Sequence, residues 1–247
     1  MFRGFGTVLN VATVLVGSGI GVLIGHRLPT RTRDVVTDAL GLVTLLVAGL
    51  NVAALLDAEL IAAVGDDTTV LVVLGSMLVG GIVGSLMRIE ARLESVGGAL
   101  QARLGSGGSE TRERFIEGFV SASLLFCVGP LTILGSLSDG LGRGYDQLAL
   151  KSVLDGFASV AFAASLGWGV AASALTVLVV QGSLTALAYG LGGLLPDAHI
   201  AAITATGGLL LVGVALRLLR VKPLPVGDLL PALVVAPVLV QLVIFLR

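Results

Sequence analysis

Residues 151–165 read KSVLDGFASVAFAAS, an apolar stretch that carries one carboxylate, Asp155, in its interior. Most of the stretch is valine, leucine, phenylalanine, alanine and glycine, as expected for a helix that is buried away from water. Ser152 and Ser159 fall on the same helical face as Asp155, because residues three and four apart are neighbours on a helix. The stretch therefore predicts a buried helix with one polar stripe, and the rest of the chain decides what buries it.

The composition of the whole chain indicates that lipid is its main solvent. The 247 residues are 55% hydrophobic and 13% charged, with a mean hydropathy of +1.04. A soluble domain carries about 25% charged residues. The net charge of -1 gives no reason to expect a nucleic-acid partner. The single cysteine, Cys127, excludes a disulfide within the chain.

Apolar runs long enough to cross a bilayer recur along the sequence, since a spanning helix needs about 20 apolar residues. The stretch around Asp155 belongs to two of them, which only Gly167-Trp168-Gly169 separates. We number the runs as spans one to eight: 4–25, 35–56, 69–87, 115–137, 148–166, 170–194, 200–219 and 226–246. The sequence predicts an all-α, polytopic transmembrane helical bundle of about eight spans, forming a single transmembrane domain over 1–247.

The basic residues predict how the bundle lies in the membrane. Most arginines and lysines fall at 27–33, 88–114 and 217–222, which are loops on one side of an eight-span chain. The positive-inside rule places this side in the cytoplasm, so both termini are predicted to lie outside a bacterial plasma membrane. Within the long loop, 88–104 has the pattern of an amphipathic helix on the leaflet, and 105–109 (GSGGS) that of a flexible linker. A continuation of span three into solvent is the alternative for 88–104.

Two further patterns concern how the spans pack. Glycine and small residues recur every four positions at Gly17, Gly21 and Gly25, and at Ser76, Gly80 and Gly84, which predicts close helix packing. A shift of 167 residues aligns Leu28-Pro29 with Leu195-Pro196. Because four spans lie between spans one and six, these two spans cross the membrane in opposite directions, and the alignment predicts an inverted repeat of spans 1–3 and 6–8 around spans 4–5. Chance similarity between Gly/Leu/Ala-rich helices is the alternative.

Asp155 is the principal candidate for a binding residue. An ionised carboxylate near the bilayer centre costs at least about 3 kcal/mol on insertion scales, so it must face protein, water or a cation, or be protonated. Ser152 and Ser159 extend its polar stripe, and Lys151, four residues earlier, is placed to form an ion pair with it. We predict contact with a substrate or ion. A hydrogen bond to a neighbouring helix alone is the alternative.

Span four is the second candidate, because Gly129-Pro130 interrupts it near the middle. Proline removes a backbone donor, and the carbonyls released in a broken helix can bind ions. A simple proline kink is the alternative. The polar residues assigned to this region are Ser123 and Thr132 at the site, Asp139 as a gate or mouth residue near the outer end, and Glu117 near the cytoplasmic end.

Three amides within the predicted spans complete the candidate binding residues: Asn10, Asn51 and Gln181. Amides in spans often only bond between helices, which is the alternative for each of them. No enzyme signature is visible, since His26 and His199 fall in loops on opposite sides and Cys127 is alone. We therefore expect neither an enzyme nor a cofactor, and the sequence identifies no metal site.

Four segments together carry a resemblance to a known family. They are GTVLNVATVLVGSGIGVLIGHRLPTR (6–31), FIEGFVSASLLFCVGPLTILGSLSDGL (115–141), KSVLDGFASV (151–160) and VLVVQGSLTALA (177–188). In this order they resemble the bacterial integral membrane proteins of domain-of-unknown-function family 554. The resemblance implies a polytopic plasma-membrane protein and supplies no activity. Pro130 departs from the family pattern, where a small residue such as alanine is expected.

The leading hypothesis is a secondary transporter or permease for a small solute or cation, with its central site on spans four and five. One alternative is an ion channel that uses the same residues. The other is a non-transporting membrane scaffold or regulatory protein that docks through 88–114. This last alternative predicts that Asp155 packs against a hydrogen-bond donor with no cavity beside it. The expected partners are the lipid bilayer and a small solute or ion, and a homo-oligomer is left open.

Overall fold

A computed structural model describes residues 2–25, 27–104, 109–128, 130–191 and 196–246. The described residues are almost entirely helical and contain no strand. Two 3-10 turns, Ala53–Leu56 and Val226–Leu229, each lie between two consecutive α-helices. The α-helices are α1 Phe5–Gly25, α2 Thr30–Val52, α3 Ala58–Val64, α4 Asp66–Met87, α5 Ile89–Leu104, α6 Ser109–Cys127, α7 Pro130–Gly140, α8 Asp146–Leu166, α9 Gly169–Leu191, α10 Asp197–Leu218 and α11 Ala232–Leu246. Gly129 and most of the predicted linker 105–109 lie outside the described residues.

Seven helical segments are long and apolar enough to span a membrane, in the part of the chain that is described. An eighth segment is the bent pair Arg112–Cys127 and Leu131–Gly140, whose two halves meet at 63°. Large apolar side chains face outward along these helices, including Leu23, Leu86 and Phe245, which are 71%, 81% and 83% exposed. Such surfaces are stable only against lipid. The chain is therefore a multi-pass membrane protein, and the prediction of an all-α bundle with about eight spans is confirmed.

The direction of α1 and α8 bears on whether the bent pair crosses the bilayer. Their contacts advance together along both helices, from Gly6 against Leu148 to Gly25 against Ala164, so the two helices are parallel. Between them the chain passes through α2, α4 and the bent pair. If the bent pair returned to the side it came from, α8 would run against α1. The parallel arrangement thus supports one full crossing by α6 and α7.

The described residues group into two compact units. The first unit contains Met1–Leu40, Glu94–Cys127 and Leu131–Leu194, and the second contains Gly41–Leu93, Val128–Pro130 and Leu195–Arg247. The single transmembrane domain and the inverted repeat remain predictions.

Glycines set the packing inside the first unit. A Cβ added to Gly17 would meet the carbonyl oxygen of Gly156, and one added to Gly21 would meet that of Val160. The backbones of α1 and α8 therefore touch directly, as small residues in membrane helices permit. The predicted turn between spans five and six is also present, because α8 ends before Gly167, which has φ +77°.

The second unit has its own apolar core. Gly80 of α4 lies against the backbone of Ala232, and Gly84 against that of Asp228, so both predicted small-residue rows are confirmed as packing rows. The core of this unit contains Leu60, Val64, Val72, Ala198, Ala202, Ala236 and Val240. The short helix α3, with Leu60 and Val64, was not predicted from the apolar runs.

The segment predicted to be an amphipathic helix is helical. It forms α5, and Arg88 before it has a left-handed backbone with φ 52°. This turn separates α5 from α4, so the alternative of a simple continuation of span three does not hold. The location of α5 on the cytoplasmic leaflet stays a prediction.

Candidate functional site

The carboxylate of Asp155 lies inside the first unit, with two donors on the same oxygen. Nζ of Lys151 is 2.5 Å from Oδ2 of Asp155, and Nδ2 of Asn10 donates to that oxygen at 2.9 Å. The side chains of Lys151 and Asp155 are only 8% and 10% exposed. The ion pair expected from the four-residue spacing is therefore present and buried within a spanning helix.

The seam between α1 and α8 brings Asn10 to Asp155. Gly156, next to Asp155, packs against Thr13 of α1, and Gly17 lies against Gly156. With two backbones this close, the short side chain of Asn10 reaches across to the neighbouring helix. Sequence reasoning named Asn10 and Asp155 as separate candidates, and the structure joins them.

The two serines beside Asp155 bond within their own helix. Ser152 Oγ donates to the Leu148 carbonyl oxygen at 2.6 Å, and Ser159 Oγ donates to the Asp155 carbonyl oxygen at 2.6 Å. Such bonds to the preceding turn are common for serine in helices. Both residues are fully buried on the face of Asp155, but their hydroxyl protons are used by the backbone of α8.

Span four is a broken helix rather than a gently kinked one. α6 ends at Cys127, and Pro130 opens α7, where a proline is favoured because the first turn needs no backbone donor. Thr132 Oγ1 donates across the break to the Phe126 carbonyl oxygen at 3.2 Å. Phe126, next to the break, packs edge-on against Phe162 of α8, with ring centroids 6.4 Å apart. The break therefore lies against the helix that contains the ion pair.

Helix α9 supplies the remaining polar side chains of this region. Ser123 Oγ donates to Thr176 Oγ1 at 3.0 Å, and Thr185 Oγ1 donates to the Ser136 carbonyl oxygen at 3.2 Å, so α9 is bonded to both halves of the broken span. Gln181 lies between these two bonds along α9. It is fully buried, and neither its carboxamide nitrogen nor its oxygen has a hydrogen-bond partner among the described residues.

Other buried side chains also have polar atoms without a hydrogen-bond partner among the described residues. Within the described part of the first unit, five further buried polar atoms of this kind are Asn10 Oδ1 and the hydroxyl oxygens of Thr7, Ser18, Ser121 and Ser136. A buried polar atom without a partner is destabilising, and more so where no bulk water can reach it. These atoms are therefore available to a polar ligand.

The predicted gate residues and Asn51 have different surroundings. Asp139 is buried, and its Oδ2 accepts the backbone N–H of Gly6 at 3.0 Å, so it caps the first turn of α1. Glu117 is half-buried in α6. Asn51 is half-buried in the second unit, so the structure does not group it with Asp155. The site and gate roles of these residues stay predictions.

The second unit contains a partly buried ion pair that sequence reasoning missed. Nη1 of Arg217 is 2.5 Å from Oε1 of Glu90, while the backbone N–H of Gly227 donates to Oε2 of Glu90 at 2.5 Å. The side chains of Arg217 and Glu90 are 19% and 12% exposed, so this pair is only partly buried. In return, Asp228 Oδ1 accepts the backbone N–H of Glu90 at 2.9 Å. Only the placement of Glu90 and Arg217 in loops predicted for the same side hinted at this pairing.

The second unit also has an open groove of about 580 Å³. Apolar residues such as Leu55, Leu56 and Val70 line it, and Asp66 and Asp67 lie at its edge. Among the described residues, no three histidine, cysteine or acidic side chains converge to hold a metal ion, in this groove or elsewhere.

Comparisons with known proteins agree with this architecture. The family described as "Protein of unknown function (DUF554)" matches residues 5–241. The chain is 28% identical over 236 residues to "Uncharacterized membrane protein YdfK" of Bacillus subtilis, covering 96% of this chain and 95% of that protein. It is 31% identical over 232 residues to "Uncharacterized protein YqgA" of Escherichia coli, covering 94% of each. No solved structure matches. Because the family match extends over nearly the whole sequence, the chain belongs to the DUF554 family.

Proposed function

We propose that the protein is a secondary transporter for a small solute in the bacterial plasma membrane, and not an enzyme. The observation that supports this most is the buried Lys151–Asp155 pair beside a broken spanning helix. Ionisable residues inside membrane spans are expensive, and they commonly mark the path of a substrate or ion. Broken helices form such sites in many transporters.

The unpartnered polar atoms near the break support the same function. A scaffold gains nothing from a buried glutamine whose carboxamide bonds to no described residue, whereas a solute with donors and acceptors can satisfy it. We propose that the solute occupies the region bounded by Asp155, Gln181 and Cys127, all of which belong to the first unit. Alternating access would rock the proposed repeats, spans 1–3 and 6–8, about this region, with both termini outside the cell.

A non-transporting membrane scaffold is the second candidate, and one observation favours it. Asp155 accepts a hydrogen bond from Asn10 of the neighbouring helix, as the scaffold alternative predicts. In that case the ion pair would only fasten α1 to α8, and α5 would serve as a docking surface. The two candidates predict different results. A transporter takes up a solute and loses this uptake when Asp155 is neutralised, whereas a scaffold takes up no solute.

The test is uptake by proteoliposomes that contain the purified protein. A pooled set of isotope-labelled amino acids, organic acids, sugars and inorganic ions is added outside, and the retained solutes are identified by mass spectrometry. We expect at least one solute to accumulate above protein-free liposomes, and D155N to lose this uptake. D146N is the matched control, because Asp146 is an exposed carboxylate on the same helix.

Two results would contradict the proposal. Equal retention by proteoliposomes and protein-free liposomes for every solute would favour the scaffold. Undiminished uptake by D155N would remove Asp155 from the mechanism.

A further inference from the structure

We propose that the transported solute is an anion and that it moves together with one proton as an electroneutral pair. Lys151 would bind the anion and Asp155 would carry the proton. This inference rests on the proposed transport function and assigns the charge of its substrate. It replaces the expectation of a cationic solute, to which a buried carboxylate alone would point.

The ion pair itself argues against a cation. Oδ2 of Asp155 is already occupied by the ammonium group of Lys151 and by the amide of Asn10. A cation that displaced Lys151 would leave this ammonium group buried and without a counter-charge, next to a second positive charge. An anion instead provides Lys151 with a new partner.

The charges on the surrounding helices do not alter this balance. α1 and α9 contain no lysine, arginine, aspartate or glutamate within their bounds, and the one tyrosine of α9, Tyr189, is exposed. Asp139 of α7 caps α1, and Arg114 of α6 donates to the Ser165 carbonyl oxygen at the far end of α8. The other ionisable side chains of these helices, taking α6 from residue 112 onward, are Arg112, Glu113, Glu117 and Cys127 of α6, and Asp146 of α8.

The anion and the proton are coupled because a charge that is buried without a counter-charge has a high free energy. With Lys151 and Asp155 paired, the site has no net charge. An anion alone would leave it negative, and a proton on Asp155 alone would leave it positive, and both states are unfavourable in a low-dielectric interior. When the anion binds Lys151 while Asp155 takes a proton from water, the site is neutral again. On the other side of the membrane the anion leaves, the proton returns to water and the ion pair re-forms.

The local geometry permits this exchange. Lys151 and Asp155 are on adjacent turns of one helix, so the ammonium group can leave the carboxylate by side-chain rotation without moving α8. Gln181 and the hydroxyls of Ser121 and Ser136 have donors that no described residue uses. Neutral donors of this kind can bind the remaining oxygen atoms of a carboxylate or phosphate.

The test measures proton movement directly. Proteoliposomes loaded with a pH-sensitive dye receive sodium gluconate, lactate, glutamate or phosphate outside, at equal ionic strength and with an inward proton gradient. We expect at least one anion to acidify the lumen faster than in protein-free liposomes. The rate should not change when potassium and valinomycin impose a membrane potential. K151M and D155N should each lower the rate of lumen acidification by about a hundredfold, because each leaves one buried charge uncompensated.

Control variants distinguish a loss of proton–anion transport from a loss of folding. K222Q and D146N remove exposed charges of the same types and should leave the rate unchanged. The double variant K151M/D155N has no unpaired charge, so it should fold like the wild type and still fail to move the anion with a proton.

Three outcomes would overturn the inference. They are uptake of an anion without lumen acidification, a rate that follows the membrane potential, and no response to any of the four anions. If the wider solute screen nevertheless detects uptake that D155N abolishes, the transport function stands and only its proton–anion coupling is wrong. If that screen is also negative, the proposed function fails as well.

Discussion

The two units each contain an ion pair, buried in the first and partly buried in the second, and the two pairs differ in what they connect. Lys151–Asp155 and Arg217–Glu90 have the same closest nitrogen–oxygen distance, 2.5 Å. The first pair joins residues four apart on one helix, whereas the second joins residues separated by 127 positions. Glu90 also binds the backbone of Gly227, and Asp228 binds the backbone of Glu90. The pair in the second unit therefore fastens three segments together, whereas opening the pair in the first unit releases no contact between helices, since the bond from Asn10 to Asp155 is separate from it.

This difference teaches that burial and short distance alone do not identify a functional charge. Arg217, Gly227 and Asp228 each bond Glu90 from another segment of the chain, so breaking the pair would loosen that part of the second unit. Asp155 receives both of its donors on Oδ2, and one donor comes from its own helix. A pair that can open while the helices stay packed is suited to exchange partners with a ligand.

The largest effect we expect is on stability, at Glu90. E90Q removes the charge that Arg217 and the Gly227 N–H share, so three segments lose a contact. It should destabilise the protein by about 4 kcal/mol, within the range of about 3–5 kcal/mol for breaking a buried pair but below its upper end, because the Arg217 side chain is 19% exposed. Thermal unfolding of the purified protein in detergent measures the change. E94Q is the control, because Glu94 is exposed on the same helix. Equal melting temperatures for E90Q and E94Q would show that the Glu90 pair fastens nothing.

A smaller loss of stability is expected at Lys151. K151M leaves Asp155 without its cation and should cost about 3 kcal/mol, the lower end of the same range, because Asn10 still donates to the carboxylate. K151M/D155N should recover most of this loss, since no buried charge remains. The comparison uses the same thermal unfolding assay. A double variant as unstable as K151M would mean that the pair holds the first unit together as Glu90 holds the second.

The features that could be predicted from the sequence are those that depend on residues close together in the chain. The spans follow from runs of apolar residues, and the Lys151–Asp155 pair from a four-residue spacing. The break follows from Gly129-Pro130, and the glycine seam from a repeated spacing. All of these are local patterns, and the structure contains each of them within its described residues.

The contacts that the sequence did not reveal join distant parts of the chain. Asn10 and Asp155 are 145 positions apart, and Asp139 lies 133 positions from Gly6. The Glu90–Arg217 pair depends on the fold of the 222–231 loop, which has no periodic pattern. Side chains of one polar type can meet many partners, and only the packed fold selects one of them. For this reason the candidate site was predicted as a set of residues but not as a hydrogen-bonded arrangement.

The smallest effect on stability is expected for a hydrogen bond between two uncharged side chains in the first unit. Its coupling energy is the reference with which the two ion pairs are compared. Ser123 Oγ donates to Thr176 Oγ1 and joins α6 to α9. Hydrogen bonds between membrane helices average about 0.6 kcal/mol, because both groups find other partners when the bond is lost. A double-mutant cycle of S123A and T176V in the thermal unfolding assay should give a coupling of this size. S183A is the control, since Ser183 is exposed and bonds only within α9. A coupling as large as that of Lys151 with Asp155 would mean that hydroxyls, rather than charges, hold the broken span in place, and the distinction between the two units would lose its basis.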